Sequence, residues 1–114
     1  MKTECTRFRV LKGKTEMVDE WMDFLNQNME DVLLTLDGEK MYVESIFREN
    51  VEEHEYLYWF SVQGEGGIEV TDSESWIDKK HLAYWDECID PEYNPVDLVT
   101  EVVMIPHRIR EAME

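Results

Sequence analysis

The sequence predicts an α+β fold with the element order β-α-β-β-α-β. Three observations carry it. Near the start of the chain, Phe8 and Val10 alternate with Arg7 and Arg9, the period of a strand with unlike faces. Two apolar arcs at helical period run from Thr15 to Leu36 and from Ser75 to Asp90. Two consecutive strand-like runs lie between those arcs, and a third follows them. Four antiparallel strands with two helices on one face is the ferredoxin-like arrangement.

The first strand is expected from Glu4 to Leu11, ending in the turn Lys12-Gly13-Lys14. Thr15 is placed to cap the first helix, and Glu16 and Asp19 suit the positive end of its dipole. Met17, Val18, Trp21, Met22, Leu25, Met29, Val32 and Leu36 share the apolar arc, with Asn28 inside it. The amide run Asn26-Gln27-Asn28 is weakly helical and marks a break. Gly38 suits a left-handed cap at the helix end.

The second strand is expected over Met41 to Glu49 and the third over Tyr56 to Gln63, joined by an open loop from Asn50 to Glu55. The third is apolar on both faces, with Tyr56, Tyr58, Phe60 and Val62 on one and Leu57 and Trp59 on the other. An antiparallel strand with a wet face alternates, so this one needs cover on both sides. Gly64, Gly66 and Gly67 open a polar connection suited either to a mobile lid or to a plain link. Ser75 caps the second helix, with Asp78 at the acid position of a capping box. Val96 to Ile105 is the fourth strand, and residues 106–114 form a short tail.

The 114 residues fit one domain, long enough to bury a core without disulfide or metal. The net charge of −16 opposes binding to nucleic acid or anionic lipid and repels anionic substrates at long range. Cys5 and Cys88 form no framework of cross-links. The first residues lack the apolar run of a signal peptide, and no segment has the length of a membrane span. The expectation is a cytoplasmic protein with reduced thiols and no membrane partner. The histidines lack metal-ligand spacing, so neither a metal nor a cofactor is expected.

The chemistry-bearing residues are few. His81 lies mid-way across the apolar face of the second helix, beside Tyr84, Trp85 and Cys88. It is the candidate acid/base, with Asp78 one turn earlier as its orienter. The competing view is a satisfied core histidine with Asp78 capping the helix. Trp21, Asn28, Tyr84 and Trp85 are candidate pocket walls, although aromatics at helical spacing more commonly build core. Arg7 and Arg9 are candidates for a clamp on a carboxylate or sugar acid. Glu44, Arg48 and Glu101 are also charged positions within strand patterns, and pairing with Glu44 or Glu101 would neutralise such a clamp.

The element order, the Gly13-Lys14 turn before a Trp21-bearing helix, and the His81-x-x-Tyr84-Trp85 segment resemble the dimeric α/β barrel superfamily. That group includes antibiotic-biosynthesis monooxygenase-like proteins, sugar mutarotases and haem-degrading relatives. Within it the chain looks closest to an uncharacterised bacterial family of unknown function. The resemblance implies a homodimer joined through its sheets and a pocket between sheet and helices. It also keeps haem binding open, because haem-degrading members carry a histidine on the equivalent helix. Some monooxygenase-like members hold substrate with an Asn and a Trp, but their Asn is on the first strand and Asn28 is on a helix. The leading expectation is a small-molecule-binding protein, as an enzyme a cofactor-free oxidase or isomerase using His81. A non-catalytic homodimeric interaction module is the alternative.

Overall fold

The computed structural model describes residues 1–113; Glu114, the last residue of the expected tail, lies outside them. The chain runs β1 (Lys2–Arg9), α1 (Thr15–Gln27), α2 (Met29–Gly38), β2 (Met41–Val51), β3 (His54–Gln63), α3 (Trp76–Cys88), β4 (Val96–Asp97) and α4 (His107–Met113). The strands form one antiparallel sheet in the order β2-β3-β1-β4. This is the ferredoxin-like α+β arrangement, with β1 and β3 central.

The break between α1 and α2 falls at Asn28, within the amide run. Its Nδ2 donates to the Phe24 carbonyl at 2.8 Å, and its backbone leaves the helical region. Thr15 opens α1 without capping it; its hydroxyl donates to Glu55 Oε2 at 3.2 Å instead. Helix α2 continues through Gly38, and the left-handed residue at its end is Lys40, with φ 56°.

Two expected boundaries differ more substantially. The open loop between β2 and β3 is a tight turn in which both Glu52 (φ 48°) and Glu53 (φ 70°) are left-handed. Such turns match the twist of the flanking strands and normally recruit Asn-Gly, so the pattern gave no hint of one. The fourth strand pairs with β1 only over Val96 and Asp97. Beyond a Leu98 N–H bond to the Cys5 carbonyl, residues 99–105 carry the apolar pattern of a strand but have no ladder among the described residues. Val99 is 80% exposed and Met104 86% exposed.

The core is small. Val10, Val18, Trp21, Leu57, Cys88 and Ile89 form its buried cluster. It seals one end of the space between helices and sheet. The other end is hollow.

Candidate functional site

The hollow end is a cavity of about 1050 Å³ between the inner sheet face and helices α1, α2 and α3. Strand alternation decides what lines it. From β1 it receives Glu4, Thr6 and Phe8; from β2, Glu44 and Ile46; from β3, Trp59, Ser61 and Gln63. Met22, Leu25, Met29, Val32 and Leu36 supply an apolar wall from α1 and α2. Asp78, His81 and Trp85 come from α3.

The connection from 64 to 69 closes the end of the cavity and is tied down at both ends. Gly64 N–H donates to the Lys40 carbonyl at 2.7 Å, and Ile68 N–H to the Gly38 carbonyl at 3.1 Å. A Cβ at Gly67 would collide with the Glu39 carbonyl, so glycine permits the close approach. The connection presses the α2–β2 turn inward and brings Glu39 to the cavity wall.

His81 sits in a cage of indoles. Its ring centroid is 5.5 Å from those of Trp21 and Trp59 and 6.5 Å from that of Trp85. Trp21 Nε1 donates to His81 Nδ1 at 3.0 Å. An indole N–H only donates, so Nδ1 accepts and the neutral ring carries its proton on Nε2. Burial also lowers the His81 pKa, with the nearby Asp78 charge acting the other way. The imidazole is therefore held neutral, as a hydrogen-bond donor at Nε2.

The orienting bond to His81 thus comes from Trp21 rather than Asp78. Asp78 does not close a capping box either, since the Ser75 N–H turns to Ser73 Oγ at 3.1 Å. The Asp78 residue is only 5% exposed, and its Oδ2 has no hydrogen-bond partner among the described residues. Glu39 Oε1 is in the same condition. Burial and the charges of Asp78, Glu44 and Glu69 push the Glu39 carboxyl up to about 7. Burial raises Glu44 as well, against an opposing effect of Trp59.

The remaining candidates divide by position. Trp85 lines the cavity. Trp21 is fully buried behind His81. Tyr84 stacks on Trp21 with ring centroids 6.3 Å apart, and its hydroxyl donates to Glu20 at 3.0 Å. Asn28 serves the helix break. Arg7 and Arg9 project from the opposite sheet face. Arg7 Nε donates to the Tyr93 hydroxyl at 2.8 Å, and Arg9 pairs with Asp90 at 2.9 Å. Arg48 is tied to Asp19 and Glu55 at 2.6 and 3.0 Å.

Glu39, Ser61 and Gln63 join the site without having been singled out for it. Trp59 joins it from the strand whose two-sided apolarity called for cover on both faces. Glu39 follows a helix end, where an acid ordinarily reads as solvated surface. Among the described residues, no three His, Cys, Asp or Glu side chains converge closely enough to hold a metal ion. No described helix is long and apolar enough to cross a membrane.

The chain belongs to DUF6176, described as a family of unknown function, whose pattern matches residues 1–111. No curated protein matches it. Among solved structures it is similar to L-rhamnose mutarotase from Formosa agariphila, at 20% identity and a TM-score of 0.57. That match covers 93% of this chain and 100% of the other. The likeness is one of fold.

Proposed function

We propose that the cavity binds a small, neutral, cyclic molecule rich in hydroxyls and interconverts its isomers by proton transfer. The observation that carries this reading is the lining itself. Trp59 and Trp85 offer flat faces for a ring, while Gln63, Ser61 and Thr6 offer amide and hydroxyl contacts. Its acidic groups disfavour an anionic ligand. The fold's likeness to an L-rhamnose mutarotase suggests a free aldose as the first ligand to try.

His81 presents its Nε2–H to an oxygen of the ligand, where it stabilises charge as bonds rearrange. Asp78 supplies a carboxylate beside it. Trp21 holds the imidazole, and Trp85 walls the ring.

Saturation-transfer NMR with a panel of free monosaccharides, L-rhamnose among them, tests the binding. Transfer to at least one sugar that disappears in a cavity-blocking Ser61→Trp variant supports the reading. No transfer to any member refutes it.

The assembly we propose is a homodimer. The apolar segment 98–105 and the outer sheet face, where Phe47 is 57% exposed, provide the surface for a second copy. That same exposed segment favours a second reading, a non-catalytic interaction module. Binding of sugars by the dimer decides between them.

A further inference from the structure

We infer that Glu39 and Asp78 are the acid and base of the cavity, Glu39 giving a proton to the ring oxygen of a cyclic hemiacetal and Asp78 taking one from its anomeric hydroxyl. This rests on the proposed ligand class and names the residues that act on it.

Two carboxyls from different elements line one cavity, Glu39 from the α2–β2 turn and Asp78 from the first turn of α3. Each has a buried oxygen without a hydrogen-bond partner among the described residues. Asp78 is 95% enclosed, with its Oδ2 left over by that burial. A buried carboxylate without a partner destabilises the fold, so a ligand hydroxyl that donates to it recovers a strong, charge-assisted bond. Among the described residues, Lys2 is the one Lys or Arg on the cavity wall, and it pairs with Glu4 at 2.7 Å.

Glu39 shares the cavity wall with Asp78 and His81 from α3, Glu44 from β2, Glu69 from the 64–69 connection, and Glu4 with Lys2 from β1. The surplus of negative charge favours one protonated carboxyl in the group, and Glu39 is the one held near neutrality. A Glu39 carboxyl that gives a proton, on one wall with an Asp78 carboxyl that accepts one, provides an acid and a base in one site. As Asp78 accepts the anomeric proton, the bond from the anomeric carbon to the ring oxygen breaks, and that oxygen takes the Glu39 proton. The open aldehyde turns about its carbon–carbon bond and closes by the reverse transfers. Atoms and electrons balance, and both carboxyls return to their starting states. Neutral His81 neither gains nor loses its proton.

The test combines exchange NMR of sugar anomers with carboxyl carbon-13 NMR of the labelled protein. In Glu39→Gln and Asp78→Asn, exchange of the bound sugar should fall about 100-fold or more while saturation transfer persists. The Glu39 signal, identified by its loss in Glu39→Gln, should titrate near pH 7 and move to lower pH in Asp78→Asn. Exchange surviving either substitution within a few-fold overturns the pair. So does a Glu39 signal that titrates with ordinary carboxylates. No exchange by the unsubstituted protein overturns the ligand reading, and the pair with it. Both substitutions are near-isosteric and remove charge from a crowded wall, and circular dichroism checks that they fold.

Discussion

Trp21 donates its indole N–H to His81 Nδ1 at 3.0 Å, and this bond fixes which imidazole nitrogen is left for the cavity. The helix α1 tryptophan is thus a positioning residue for the helix α3 histidine. A buried donor left without its acceptor destabilises a fold by about 1–3 kcal/mol. His81→Ala should show a loss of that size. In His81→Asn the amide oxygen can take the place of Nδ1, so stability should stay closer to that of the parent. Chemical denaturation distinguishes the two, and equal losses would contradict the bond's importance.

The pH dependence of the fold contains two opposed contributions. His81 is lowered below its ordinary 6.5 by burial, so its contribution to stability is intact above 6.5 and is lost as pH falls through the lower folded value. Glu39 is raised from 4.5 to about 7, so its contribution is intact below 4.5 and is lost as pH rises to about 7. Glu39→Gln should therefore stabilise the protein above pH 7 and do little near pH 4. With solvent screening of this half-buried group, the gain should be about 1–2 kcal/mol. Urea unfolding at the two pH values gives the answer, and an equal effect at both would contradict it.

The segment from 98 to 105 predicts self-association. Val99, Val102 and Met104 are 80%, 68% and 86% exposed, more apolar surface than a lone strand edge normally presents to water. Sedimentation velocity should show a dimer. Val99→Asp with Met104→Asp should shift it toward monomer and leave the circular dichroism spectrum unchanged. A monomeric parent protein would remove the segment's assigned role.

The Glu52-Glu53 turn stores backbone strain, because both residues are left-handed without being Gly or Asn. Glu52→Asn with Glu53→Gly should stabilise the hairpin by about 1 kcal/mol. Thermal unfolding checks it, and a lower midpoint would mean that the glutamates make contacts the turn needs.

The sequence made the layers readable but not the hollow between them. Period-two and helical patterns located β1 and α3 well, because each has an apolar stripe that can face only one way, and the continuous apolar run located β3. The amide run located the α1–α2 break, because three weak helix formers leave the backbone free to depart there. The shortened β4 was not readable: apolar alternation shows that Val99 to Ile105 can pair, not that the rest of the chain offers it an edge. His81 and Asp78 were legible as a pair one turn apart, but their separate fates were not. Those depend on Trp21 from another helix and on Ser73 capturing the Ser75 N–H. Glu39 was out of reach, because its place at the wall is set by Gly67 packing against its backbone from nearly thirty positions away.

Exchange spectroscopy of free aldoses, with the protein at neutral pH, tests the central claim most directly. The cavity should accelerate exchange between the α and β anomers of at least one sugar. That acceleration should decline at alkaline pH as Glu39 ionises, and His81→Asn should reduce it. Anomers exchanging at the buffer rate for every sugar, in a folded protein, would contradict the claim.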